Sequence, residues 1–306
     1  MRYGHVVVWR RSVECETLQW YYDATYMHHK LKKVVARYTP RALGSVLRRK
    51  KKEVTLTLLC ALVAVCVGIY ITRHAIATFV WNKTHFEHIA LILDPQDAVL
   101  RESIGSFYFT SEHYDIDKAE TYFKKAIAIN DHVPLAHYQL ARVHFIHGDF
   151  SDAITEINTE IVLYPEYKRS HYIRGLVYGY MGNFDGAIED FKEFLQWKKD
   201  SWAGHNDLSW VYFKKGDFAS ARDVAMDGLV YTPHNPWLLN SLGVALLNLN
   251  NRAQAKSAFK ESLAQFDQMK PADWGRAYPG NNPKIYIDGF GRTRSSIESN
   301  LVLSSN

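Results

Sequence analysis

The 306-residue sequence has only three cysteines, Cys15, Cys60 and Cys66, and none beyond residue 66. That excludes a disulfide framework, and a cysteine-free downstream region suits an oxidising or a reducing compartment equally. It lacks a Gly-rich phosphate loop ending in Lys, a GxSxG elbow and an HExxH helix, so it shows no local sign of catalysis. Its acidic and histidine residues are spread over what read as solvated helix faces. The expectation is a chain that is no enzyme, with no catalytic residue and no cofactor. Basic excess is also missing from most of the chain. Residues 1–53 hold 13 Lys and Arg against 4 Asp and Glu, a net of +9, while the whole chain is +5. The remaining residues therefore carry −4, and the high pI belongs to an N-terminal arm.

What is present next is a stretch without charge. "VTLTLLCALVAVCVGIYIT", residues 54–72, covers roughly 28 Å as a helix, close to the ~30 Å hydrocarbon core of a bilayer. An uninterrupted apolar circumference has no polar face to offer water, which favours a transmembrane helix over a buried core helix. Tyr70 and Trp81 sit where amphipathic rings favour the interface. Arg48, Arg49, Lys50, Lys51 and Lys52 immediately precede the span, and the Lys/Arg excess on that side predicts a cytoplasmic N-terminus. The bulk of the chain is then expected to be extracytoplasmic, in a periplasm, a lumen or the cell exterior. The arm also holds Trp9, Trp20, Tyr21, Tyr22 and Tyr26. Basic and aromatic residues together are one pattern of nucleic-acid binding, but a juxtamembrane basic cluster is better explained by anionic lipid and topology.

From residue 73 to "DPQD" at 94–97 there is no Pro or Gly, and Ile76, Phe79, Val80, Phe86, Ile89 and Leu93 keep helical spacing. This predicts one helix that crosses the membrane and continues to about residue 97 as a stalk, with Asp94 capping a new helix and Pro95 in its first turn. "NKT" at 82–84 matches a glycosylation acceptor, a motif common by chance.

Beyond residue 98 the chain repeats itself. "HGDFSDAITEI" at 147–157 returns as "MGNFDGAIEDF" at 181–191, "KGDFASARDVA" at 215–225 and "LNNRAQAKSAF" at 249–259. Gly148, Gly182, Gly216 and Asn250 are 34 residues apart each time. Small residues recur at Ala141, Gly175 and Gly243, Ala at 153, 187, 221 and 255, and closing prolines at 165 and 233. A degenerate first copy reads Gly105, Tyr108, Ala119, Phe123 and Ala126, with two extra residues between its helices. Small residues let two antiparallel helices approach, and Pro ends the second helix by removing a donor.

This resembles the tetratricopeptide repeat family, whose pattern is a small residue in the first helix, an aromatic three later, Ala then Phe in the second helix, and a closing Pro. The resemblance covers about residues 98–267. It implies an all-α fold, a right-handed superhelical array of about five helical hairpins, preceded here by one transmembrane helix. Glu160 and Ser262 depart from the family's usual Ala, which predicts looser packing at those turns. A stacked array needs a polar cap at its end. Residues 268–306 are expected to supply a turn-rich linker, "PADWGRAYPGNNPK", and a final short helix with Ile297 and Leu301 on one face, weakened at its start by Gly289 and Gly291.

The resemblance further implies that the first helix of each repeat lines a concave face. Its inward residues would be Tyr138, Arg142 and Phe145, then Tyr172, Leu176 and Tyr180, then Asn206, Trp210 and Phe213, then Asn240, Val244 and Leu247. Aromatics anchor interfaces, and Asn can satisfy an extended backbone. The Lys positions used by relatives that hold a C-terminal carboxylate are absent, so an apolar or mixed peptide or a folded domain is the expected partner. His137, His171 and His205 also recur 34 apart, but helices packed 8–10 Å apart do not bring three imidazoles to one ion. A packing role is expected there, and no metal site. The histidine pairs in "HFEH" at 85–88 and "HFIH" at 144–147 likewise lack a third ligand. The sequence thus reads as a membrane-anchored interaction scaffold or chaperone-like adaptor. The alternative is a signal relay coupling an extracytoplasmic repeat sensor to the basic arm through the stalk.

Overall fold

The computed structural model describes residues 40–277 and 282–305, with side chains from Leu59 onward. The arm before residue 40 lies outside the described residues. The chain divides into two compact units at Arg73 and His74, described separately here.

In the first unit, residues 40–73 belong to helix α1, Pro40–Thr84. Arg48 to Lys52 lie on its backbone, and their side chains are outside the described residues. Leu59, Leu62, Val63, Val65, Val67, Ile69 and Ile71 are all exposed. Leu59–Thr84 is the one stretch among the described residues long and apolar enough to cross a membrane.

The second unit begins with the last turns of α1. No continuous stalk extends from it, because the helix ends at Thr84, His85 adopts a left-handed φ of 54°, and a separate helix α2 spans Glu87–Leu93. Nor is this segment free. Ala77, Trp81 and Ala90 are buried with Leu100 and Ile104 of α3, Ala98–Tyr108. The chain also doubles back, since Nδ1 of His74 lies 2.7 Å from Oδ2 of Asp97 and 3.5 Å from Oδ2 of Asp94. The N-cap of α3 is Asp97, which accepts from the Leu100 amide at 2.8 Å, while Asp94 closes α2. The two segments thus form an N-terminal cover for the first repeat.

Ten helices follow as five hairpins. They are α3 with α4 (Ile116–Ile129), α5 (Ala136–His147) with α6 (Phe150–Leu163), and α7 (Arg169–Met181) with α8 (Phe184–Trp197). Then come α9 (Trp202–Lys215) with α10 (Phe218–Tyr231), and α11 (Pro236–Asn248) with α12 (Arg252–Phe266). The repeated phrase is the turn between the two helices. Gly148, Gly182 and Gly216 have φ of 84°, 81° and 84°, the left-handed helix end that glycine adopts without a Cβ clash, and Asn250 takes φ 60° in the fifth copy. The amide after each left-handed residue donates back to the end of the first helix, as Asp149 does to His144 O at 2.9 Å. Asn183, Asp217 and Asn251 then accept from Gly186, Ser220 and Gln254 amides and start the second helix. One short phrase ends one helix and begins the next.

The small residues of the first helices accept aromatic rings of the second. A Cβ on Gly175 would come within 3.1 Å of Phe191, and one on Gly243 within 2.5 Å of Phe259. Glu160 and Ser262 do not loosen their turns. Both are fully buried and tied to the start of a first helix, Glu160 by the amides of Leu135 and Tyr138, Ser262 by its hydroxyl donating to Pro236 O at 2.7 Å.

The tail is more helical than its composition suggests. Residues 271–277 form α13, Pro271–Ala277, and after a short 3-10 turn the last helix α14 runs Tyr286–Leu303. Ile297 is 2% exposed against Phe266 and Trp274. Gly289 leaves the place where the Trp274 indole lies, so it is a packing residue and not a helix defect.

Candidate partner-binding groove

Besides pairing within each hairpin, the first helices α5, α7, α9 and α11 also touch one another in series. Their shorter mutual spacing makes them the inner curve of the array. Every one of the twelve residues expected on the inner face is at least half-buried or exposed, and none is fully buried.

The best-defined feature is a ladder of aromatic rings across three repeats. Phe145 of α5 meets Tyr180 of α7 edge-on with centroids 5.3 Å apart, and Tyr180 meets Trp210 of α9 at 5.2 Å. Phe150 supports both Phe145 and Tyr180 from the next helix, at 5.9 Å from each. Such spacings are those of favourable offset and edge-on ring pairs. Tyr180 is nevertheless 60% exposed, the most open of the twelve. Trp210 can lie this close to α7 because residue 179 is glycine; a Cβ there would meet its Cζ3 at 2.7 Å. Phe213 is paired with Phe218 at 5.6 Å.

Beside the ladder runs a polar track. The Tyr172 hydroxyl donates to Oδ2 of Asp207 at 2.6 Å, and Nδ2 of Asn206 donates to its Oδ1 at 3.0 Å. Asn206 in turn accepts from Ser241 at 2.9 Å. Removal from water pushes the Asp207 carboxyl up to about 6, with the Tyr172 and Asn206 hydrogen bonds acting in the opposite direction. Desolvation also raises the Tyr180 hydroxyl, helped by the Asp207 charge. Arg142 is engaged: its guanidinium donates to Gln139 at 2.7 Å and stands 4.7 Å over Phe109 and 5.7 Å over Tyr138. Leu176 packs into the cores of the second and third repeats.

At the C-terminal end the expected surface is shared with the chain itself. Asn300 of α14 donates to Asn240 at 3.1 Å, and Leu301 joins Val244 and Leu247 in packing on the fifth-repeat core. Of these three positions only Asn240 is bonded to the last helix; Val244 and Leu247 are half-buried like most of the inner-face residues.

Sequence reasoning missed Asp207, Gln139, Ser106 and Glu102. Gln139 donates to Ser106, which donates to Glu102, and burial raises the Glu102 carboxyl despite that bond. A signal was available: the inter-repeat bonds link residues 33 or 35 apart, one step either side of the period.

The histidine series packs against second helices. His137 Nδ1 is 2.6 Å from Glu156 and His171 Nδ1 is 2.8 Å from Asp190, both 19 residues on. At His205 the matching position is Val224, its Nε2 bonds Lys199 O at 2.9 Å, and its buried Nδ1 has no hydrogen-bond partner. Arg174 grips Asp190 through two bonds of 2.8 Å and reaches Asn158. The three imidazoles serve separate hydrogen bonds. Among the described residues, possible metal ligands converge instead at His74, Asp94 and Asp97 and at Asp117, Glu120 and His147. In the first group Asp97 is also the cap of α3; the second lies on the surface.

The sequence model of the tetratricopeptide repeat matches residues 112–168 and 172–230. A tetratricopeptide repeat protein from Parabacteroides merdae superimposes with a TM-score of 0.53 at 14% identity, covering 78% of this chain and 100% of the other. MamA from residue 41 to its end, from Desulfovibrio magneticus, gives 0.52 at 15% identity over 56% of this chain and 97% of that one. These likenesses are of fold. No curated protein matches the sequence. With its 34-residue period, paired antiparallel helices and small-residue seats for aromatic rings, the helical array is built of tetratricopeptide repeats.

Proposed function

We propose that the protein is a membrane-anchored interaction scaffold that holds an extended, apolar or aromatic segment of a partner protein along the inner faces of α5, α7 and α9. The carrying observation is the Phe145–Tyr180–Trp210 ladder, with its middle ring 60% exposed. A large, preordered aromatic surface of this kind supplies contact area at small entropic cost and is where interface energy concentrates. The Asn206, Asp207 and Ser241 track supplies bonding groups beside it. Anchoring is supported by the exposed apolar run Leu59–Ile71 within a helix that meets the length requirement of a span. The Arg48–Lys52 cluster before it favours a cytoplasmic N-terminus with the repeats across the membrane, and anionic lipid as its contact.

The test combines a photo-crosslinking residue at position 180 in the full chain with a control at the exposed Asp152. Crosslinks that form at 180, not at 152, and vanish on Trp210→Ala with helicity unchanged support the groove. Partners captured equally at both positions, or indifferent to Trp210→Ala, would remove it. The relay alternative has less behind it, because the helix that would carry a signal stops at Thr84.

A further inference from the structure

The membrane-proximal end of the repeat unit carries an apolar face that no repeat covers. Ile76 and Phe79 of α1, Ile89 and Ile92 of α2, and Val99 at the start of α3 are 40%, 62%, 49%, 79% and 56% exposed. Their segment is not loose, since its opposite face holds Ala77, Trp81 and Ala90 against Leu100 and Ile104. Successive residues on a helix are turned by about 100°, so Phe79 points away from the side shared by Ala77 and Trp81. These side chains therefore cannot hide by rotating the helix inward.

Their level is set by the contact of His74 with Asp94 and Asp97. Ile76 lies two residues after the histidine and Ile92 two residues before Asp94, so the returning helix brings Ile92 back to the height of Ile76. Ile76 follows Ile71, at the end of the apolar run, by only five residues along the chain, and apolar side chains beside a span commonly reach roughly 5–10 Å into the interfacial layer.

We propose that Ile76, Phe79, Ile89, Ile92 and Val99 form a lipid-contacting surface that seats this end of the repeat unit in the interfacial layer of the bilayer. The α1–α2 turn thus covers the first repeat with one face and lipid with the other. The inference rests on α1 spanning the membrane, and the experiment separates the two. Three single-cysteine full-length proteins, with the other native cysteines replaced by Ser, carry an environment-sensitive fluorophore at Cys66, at Ile92→Cys or at Asp152→Cys. Each is reconstituted in phosphatidylcholine vesicles with and without lipids bearing a nitroxide near the headgroup. Expected are a blue-shifted emission at 92 that the nitroxide lipid quenches, a buried signal at 66, and an aqueous, unquenched signal at 152. Adding Phe79→Asp and Val99→Asp should return the label at 92 to an aqueous spectrum while the one at 66 is unchanged. An aqueous label at 92 beside a buried one at 66 overturns the lipid surface and leaves the span. A label at 92 shielded from water but untouched by nitroxide lipid also overturns it, in favour of a second protein copy. An aqueous label at 66 overturns the span itself.

Discussion

The carboxylate of Glu160, at the end of one hairpin, accepts the backbone amides of Leu135 and Tyr138 at 3.1 and 3.2 Å, capping the first helix of its own repeat. The same place in the other repeats is held by Ala126, Phe194, Gly228 and Ser262, which cannot accept both amides. Leu135 occupies a left-handed φ of 68° at that helix start and offers no side-chain cap, so Glu160 supplies the acceptor that sequence-local capping leaves out. Glu160→Ala should leave two part-buried donors without their acceptor and cost about 1–2 kcal/mol in urea unfolding. Glu160→Gln, which keeps one acceptor oxygen, should cost less. Equal midpoints for Ala and Gln would show that the carboxylate's bonds add nothing.

Asp207 makes a pH prediction whose sign is opposite to that of an ion-paired carboxylate. Its pKa is raised from 3.8 to about 6, so the folded state holds the proton more tightly than the unfolded one. The associated stability is fully present below about pH 4 and is lost as pH rises through about 6, at most about 3 kcal/mol for a shift near two units. Asp207→Asn keeps an acceptor for Tyr172 and removes the charge. It should match the wild type at pH 4 and exceed it at pH 8, as read by chemical unfolding across that range. A wild type that gains stability from pH 4 to 8 at this site would contradict the burial argument.

His137 titrates with the more familiar sign. Burial disfavours its charge, but the bonds to Glu156 and to Asp131 O outweigh burial and raise its pKa. Nε2 faces a carbonyl oxygen and must donate, and Nδ1 faces a carboxylate, so the doubly protonated ring fits best. Its contribution is present below about 6.5 and disappears as pH rises through the higher folded value. Glu156→Gln should lower the His137 midpoint in an NMR titration of its ring protons. An unmoved midpoint would mean that the 2.6 Å contact carries no charge coupling.

Gly179 and Trp210 test the ladder without touching Tyr180. A Cβ at 179 would come within 2.7 Å of the indole, and the ring is the side that must give way. Gly179→Ala should displace Trp210, red-shift its emission and cost about 1–3 kcal/mol through overpacking. It should also weaken whatever binds at Tyr180. Unchanged fluorescence and binding together would show that the ring tolerates the methyl and that the close approach is incidental.

The repeats were legible because their signal is local and periodic. A left-handed glycine, an Asx cap and an aromatic at the next position describe one turn, and the turn recurs at 34. The departures come from contacts that periodicity does not encode. The break at His85 follows no Pro or Gly; what it achieves is the burial of Trp81 and Ala90 on α3, a tertiary gain that an apolar spacing of 3.6 cannot reveal. Glu160 looked like a poor Ala, because its partners are amides 25 and 22 residues earlier. Asp207 passed unnoticed beside Asn206, although burial pushes its carboxyl up to about 6 against the pull of the Tyr172 and Asn206 hydrogen bonds.

The contact of α14 with the inner face of the fifth repeat gives the last prediction. Ile297 is buried against Phe266 and Trp274, while Asn300 and Leu301 lie on fifth-repeat positions that an uncapped array would leave open. One helix therefore covers both an apolar end and part of the inner face. Ile297→Ala removes three methyl or methylene carbons from a site with 2% exposure and should cost about 2–4 kcal/mol. Asn300→Ala breaks only the bond to Asn240, on a half-buried surface, and should cost well under 1 kcal/mol. If α14 also limits the groove, hydrogen exchange separates the two effects. Ile297→Ala should speed exchange through α14 and α12 together, because the end cap unpacks as a unit. Asn300→Ala should leave α12 protected. Equally faster exchange in both variants would mean that the Asn300–Asn240 bond holds the last helix in place as much as the apolar contact does.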